Sequence, residues 1–132
     1  MEKNPSKVTR HCISVVFSFA LSDEDIDDIM SAALDGGITY WCGKAEVVGE
    51  YLGEYASEQI SHGGTLRLYE IEEAENVYDL TLDKFLAGLR MWIEKERTFQ
   101  LTRSGRLDIG QIDAPAADAI IQYALFCDIV YG

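Results

Sequence analysis

Hydrophobic and polar positions first alternate and then cycle along this chain. Ile13, Val15, Phe17, Phe19 and Leu21 alternate with Cys12, Ser14, Val16, Ser18 and Ala20. That period of two predicts a strand, and the small residues on its second face predict that this face is partly covered as well. Ser22 follows with Asp25 three residues on, a capping box, and Asp23, Glu24 and Asp25 suit the positive end of a helix dipole. Ile26, Ile29, Met30, Ala33 and Leu34 then recur at helical spacing. Gly36-Gly37 should end this helix, with one of the two glycines left-handed. Residues 38–42 are a short apolar run. Over residues 45–55 two readings compete: Val47, Val48, Tyr51, Leu52 and Tyr55 fit a helical stripe, yet Gly49 and Gly53 each weaken a helix by about 1 kcal/mol relative to alanine. Residues 56–62 could add a short helical turn that ends at Gly63-Gly64.

The second half is more regular. Residues 65–71 and 77–80 read as the strands of a hairpin, joined by the acidic segment 72–76. Thr81 can cap a helix over residues 82–96, with Leu82, Phe85, Leu86, Leu89, Trp92 and Ile93 on its apolar face. Residues 99–109 form a connector with a turn at Arg103-Ser104-Gly105-Arg106. Asp113 caps a third helix, in whose first turn Pro115 is tolerated, and Ala117, Ile120, Ile121, Ala124 and Leu125 form its stripe. Residues 129–131 could form a last edge strand. The elements predict an α/β (α+β) fold, a small mostly antiparallel sheet of three to four strands with about three helices packed on it. No repeat or linker interrupts the 132 residues, so one domain is expected, with residues 1–10 as a frayed, polar lead-in that lacks the apolar core of a secretory signal.

Charge changes this picture. The net charge is −12, and it is not spread evenly. Residues 23–80 hold fifteen acids against Lys44 and Arg67, whereas the stretch 84–106 is locally basic. Such a chain does not bind duplex DNA directly, since phosphate affinity needs a cationic face. It suits a basic partner surface. Three widely spaced cysteines, Cys12, Cys42 and Cys127, give neither a disulfide framework nor a zinc knuckle. They read as buried free thiols of a reducing compartment, the cytoplasm. No apolar run is long enough to span a bilayer.

Candidate chemistry is sparse. Five residues, not four, separate Gly37 from Gly43-Lys44, and Ala45 stands where a phosphate loop needs Ser or Thr. Asp23, Asp25 and Asp27 imitate the start of a calcium loop, but Asp28 occupies the glycine position and Leu34 the closing glutamate position. No metal or cofactor is expected. His11 and His62 are the two histidines, and no nucleophile motif accompanies them, so the chain reads as a non-enzyme. Two constellations remain. Aromatics near glycines (Tyr40, Trp41, Tyr51, Tyr55 and Trp92) can stack on a base or anchor a protein, although core packing is the simpler expectation for Trp41 and Trp92. Arg103 and Arg106 flank a glycine turn that could hold a phosphate.

Four stretches resemble small acidic proteins encoded by phages and prophages of gut Firmicutes: residues 25–30 (DIDDIM), 36–42 (GGITYWC), 50–55 (EYLGEY) and 120–126 (IIQYALF). The group is similar to anti-Thoeris sponges, counter-defence proteins that sequester cyclic ADP-ribose-type signals. The resemblance implies a homo-oligomer in the host bacterial cytoplasm that binds a cyclic nucleotide without turnover. No ligand residue of that family is carried over; on the chemistry of the side chains alone, Tyr40 and Trp41 would stack on the base, and Arg103 and Arg106 would meet the phosphates. The charge supports a second expectation, an anti-CRISPR-like inhibitor of a host defence protein. Its acidic row would be Asp23, Glu24, Asp27 and Asp28 with Glu72, Glu73 and Glu75, laid on a basic nucleic-acid-binding surface.

Overall fold

The computed structural model describes residues 10–132. The lead-in expected over residues 1–10 lies outside the described residues except for Arg10. Among these residues, three α-helices and a three-stranded antiparallel sheet form an α+β fold. Helix α1 spans Asp23–Ala32, strand β1 Cys42–Val48, β2 Thr65–Glu70, β3 Val77–Leu80, helix α2 Leu82–Glu96 and helix α3 Ala114–Phe126.

The capping chemistry sets the helix starts. The Ser22 hydroxyl accepts from the Asp25 N–H while the Asp25 carboxylate accepts from the Ser22 N–H. Thr81 accepts from the Lys84 N–H, and Asp113 from that of Ala116. The end of α1 departs from expectation. The chain widens into a π-helical turn over Ala33–Gly37, and neither Gly36 nor Gly37 is left-handed. Gly37 is needed for another reason: a Cβ there would lie 2.6 Å from the Ala114 carbonyl oxygen at the start of α3.

In the sheet, β2 lies between β1 and β3. Cys42 pairs with Glu70 at one end of the β1–β2 ladder and Val48 with Thr65 at the other, with an irregularity between Cys42 and Lys44. Leu66, Leu68 and Leu80 point from the sheet into the core and are fully buried. Phe85 of α2, Ile29 and Met30 of α1, and Ile120 and Ile121 of α3 meet them there. Helices α2 and α3 cross at Gly88, where a Cβ would lie 2.6 Å from the Ala124 Cβ, the Ala124 nitrogen and the Ile120 oxygen.

Three further expectations fail, and the open reading of residues 45–55 resolves against a helix. Residues 11–21 form no strand; the alternation is present, but no described strand lies alongside to complete a ladder. Residues 129–131 are not a strand either, because Gln122 takes the Val130 and Tyr131 N–H groups on its side-chain oxygen. Residues 45–55 are not helical: β1 runs to Val48, Gly49 turns out of it at φ +79°, and a bent loop follows. All three thiols are free, but Cys42 alone is buried; Cys12 and Cys127 are exposed because the segments around them stand outside the core. No helix of the described residues is long and apolar enough to cross a membrane.

Candidate functional site

The loop after β1 is the most deliberately built surface feature. Glu58, in a 3₁₀ turn over Ala56–Glu58, accepts from the N–H groups of Glu54 and Tyr55, both at 2.8 Å. The next residue, Gln59, is 1% exposed and spends both ends of its amide on the same loop. Its oxygen accepts from the Leu52 N–H at 3.0 Å, and its nitrogen donates to the Glu50 carbonyl at 3.1 Å. Gly53 and Gly64 admit these side chains: a Cβ at Gly53 would lie 2.6 Å from the Glu58 Cβ, and one at Gly64 would overlap the Gln59 amide. The loop backbone is thus satisfied from below, and its own side chains are released outward. Tyr51 (61% exposed), Leu52 and Tyr55 (63% exposed) stand in solvent, with the exposed Glu50 before them in the chain and Glu54 between Leu52 and Tyr55.

Helix α1 adjoins this loop. Ser61 donates to Asp27 at 2.6 Å, fastening α1 to the turn below the loop. His62 bonds the Glu58 carbonyl at 2.8 Å through Nδ1, as a residue closing a helical turn does. The exposed acids Asp23, Glu24 and Asp28 lie on α1. Exposed aromatics with carboxylates beside them in the chain, on a loop held by hydrogen bonds, suit a protein surface that is basic with an apolar centre.

Glu72, Glu73 and Glu75 are exposed too, but they cap the β2–β3 hairpin beyond Glu70, the opposite end of the β1–β2 ladder from the loop. Asn76 holds that turn by donating to Glu70 and Glu73. The acids expected to form one row are therefore split between two regions.

Tyr40, 53% exposed, and Trp41, buried, are both tied to α3. Asp118 on α3, itself buried, accepts from the Tyr40 hydroxyl at 2.7 Å, the Trp41 Nε1–H at 2.8 Å and the Gln122 amide at 3.0 Å. Trp41 is 3% exposed, and Tyr131 lies parallel to it with ring centres 4.7 Å apart. Tyr78 and Phe126 close the cluster edge-on. Burial, reinforced by the Asp118 carboxylate, pushes the Tyr40 phenol up to about 12. Burial and the Glu70 carboxylate, 2.6 Å away, raise that of Tyr131 further. No buried side-chain polar atom of the described residues lacks a partner.

The arginine turn lies elsewhere. Arg106 reaches back to Asp25 at 3.2 Å and to the Ala20 carbonyl, bracing the start of α1. Arg103 is exposed on the tip of the turn, which Leu101 and Leu107 close as an isolated bridge. Among the described residues, no hydrogen bond or ring contact joins Tyr40 or Trp41 to Arg103 or Arg106. No group of three or more His, Cys, Asp or Glu among the described residues is placed to hold a metal ion.

The sequence had marked Tyr51 and Tyr55 as aromatics near glycines. It gave no sign that Glu58 and Gln59 would turn that stretch into a fixed platform. Compared with protein-family models, curated proteins and solved structures, the chain matches none of them.

Proposed function

We propose that this protein is a non-catalytic inhibitor that docks on a basic surface of a partner protein through the 50–55 loop and the adjoining acids of α1. The observation that carries this reading is the loop itself: Gln59 and Glu58 hold its backbone while Tyr51, Leu52 and Tyr55 are left exposed among carboxylates. Ordering such side chains in advance removes much of the entropic cost of association, and tyrosine is among the residues that dominate binding energy. The resemblance to phage counter-defence proteins makes the nucleic-acid-binding surface of a bacterial defence complex the partner to test first.

Sequestration of a cyclic nucleotide has less support. Trp41 already has an aromatic ring on its face, and Arg106 already has a carboxylate. A ligand there would have to displace both.

A plating assay separates the two readings. The protein is expressed in strains that each carry one defence system, and phages sensitive to that system are plated. Restored plating against a system with a nucleic-acid-binding effector, lost in a Y51A/Y55A variant, is expected. Restored plating only against systems that signal through cyclic ADP-ribose isomers, with heat on titrating those isomers, would replace this reading with sequestration.

A further inference from the structure

The segment 11–21 is apolar, strand-patterned and unpaired among the described residues. None of its backbone groups bonds another described backbone group. Ile13, Val15, Val16 and Phe17 are exposed, Val16 at 92%. Only Phe19 and Leu21, at its end, settle on the core, Phe19 edge-on to Phe99. Between the segment and α2 lies a largely apolar hollow of about 680 Å³, walled by Val16, Phe17, Phe19 and Ile93 among others, with Arg90 and Glu94 of α2 also lining it. An edge of this kind is a template for another strand.

We infer that the chain forms a two-fold homodimer in which the 11–21 segments of two copies pair antiparallel, centred on Val16. The sequence is complementary to itself in this register. Ile13 falls opposite Phe19 of the second copy and Val15 opposite Phe17, so each pair on the α2 side sets a β-branched residue against an aromatic one, a stabilising cross-strand combination. On the other side Ser14 meets Ser18, Cys12 meets Ala20, and the two Val16 side chains meet on the axis. Charge fits the same direction. The segment begins with Arg10 and His11 and ends at Asp23, Glu24 and Asp25, so antiparallel pairing sets the basic end of each copy beside the acidic end of the other. A parallel arrangement would place like charges together. The paired ribbon also supplies the ladder that the period-two pattern predicts, and it carries a second set of apolar side chains over the hollow. This contact takes Asp23 and Glu24 at the start of α1, so in a dimer the docking proposed above falls to Asp28 and the 50–55 loop, present twice.

Sedimentation equilibrium with the full chain tests the inference. Wild type should have the dimer mass at micromolar concentration. V16K sets two lysines against each other on the axis and should shift the protein to monomer mass with the helical part of its circular dichroism spectrum retained, while V16I should remain a dimer. A monomeric wild type overturns the inference and leaves the face to preceding residues of the chain or to another protein. A dimer that V16K does not weaken overturns the interface.

Discussion

Removing the Asp118 carboxylate should destabilise the protein in a way that its geometry specifies. In D118A the Trp41 Nε1–H loses its hydrogen-bond acceptor in a site with 3% exposure. An orphaned buried donor costs about 1–3 kcal/mol. Tyr40 and Gln122 lose their shorter bonds but keep others, since both reach the Tyr131 carbonyl at 3.2 Å. Those two losses add about 1 kcal/mol, and relief of the buried charge offsets part of the total. The expected loss is about 3 kcal/mol. D118N differs. Its side-chain oxygen can still accept from Trp41 and Gln122, while its amide would face the Tyr40 hydroxyl, which can turn its hydrogen to Tyr131. A loss of about 1 kcal/mol is expected. Urea titration followed by tryptophan fluorescence measures both variants, with an unchanged slope as the sign that the same unfolding is observed. A D118A loss below about 1 kcal/mol, or equal losses in the two variants, would refute the claim that this network holds the fold.

Raising the pH should weaken the protein from about pH 10 upward, the ordinary tyrosine range. Tyr40 and Tyr123 are pushed up to about 12 by burial and by Asp118 and Glu96 respectively, and Tyr131 is raised as well. Their neutral forms are favoured in the folded state, so the stability they contribute is whole below pH 10 and is lost as pH rises through the folded values. Phenolate absorbance should show these tyrosines ionising later than in urea; coincident titrations would contradict this. Q59A strips the Leu52 N–H and the Glu50 carbonyl of their partners. It should raise hydrogen exchange in residues 50–55 while leaving α3 protected, and protection unchanged at the loop would show that Gln59 does not order it. G88A should cost about 1–3 kcal/mol by thermal unfolding despite alanine's better helix propensity, because backbone atoms of α3 occupy the space a Cβ needs; a stabilised variant would contradict that crossing.

Features that depend on a few neighbouring residues were legible in the sequence. Ser22 with Asp25, Thr81 and Asp113 marked the helix starts, and the strand-like runs 65–71 and 77–80 about an acidic turn marked the hairpin. Features that need a distant partner were not. The alternation from Ile13 to Leu21 states a preference for strand, but a strand exists only beside another, and the described chain offers none there. Residues 45–55 matched a helical stripe because Val47, Tyr51 and Tyr55 are spaced by four; Gly49 at φ +79° and the later residues Glu58 and Gln59 decide otherwise. The aromatic pair Tyr40-Trp41 looked like a ligand platform until α3 supplied Asp118 and the C-terminal residues supplied Tyr131. The candidate site was thus half visible: its tyrosines could be named, but not the hydrogen bonds that present them.

Titration calorimetry between this protein and the effector complex that plating identifies tests the central claim most directly. Wild type should bind, more weakly as salt rises, and Y51A/Y55A should lose about a hundredfold or more in affinity while unfolding like wild type. A double variant that binds as wild type does, or a complex indifferent to salt, would contradict docking through the acidic, tyrosine-bearing loop.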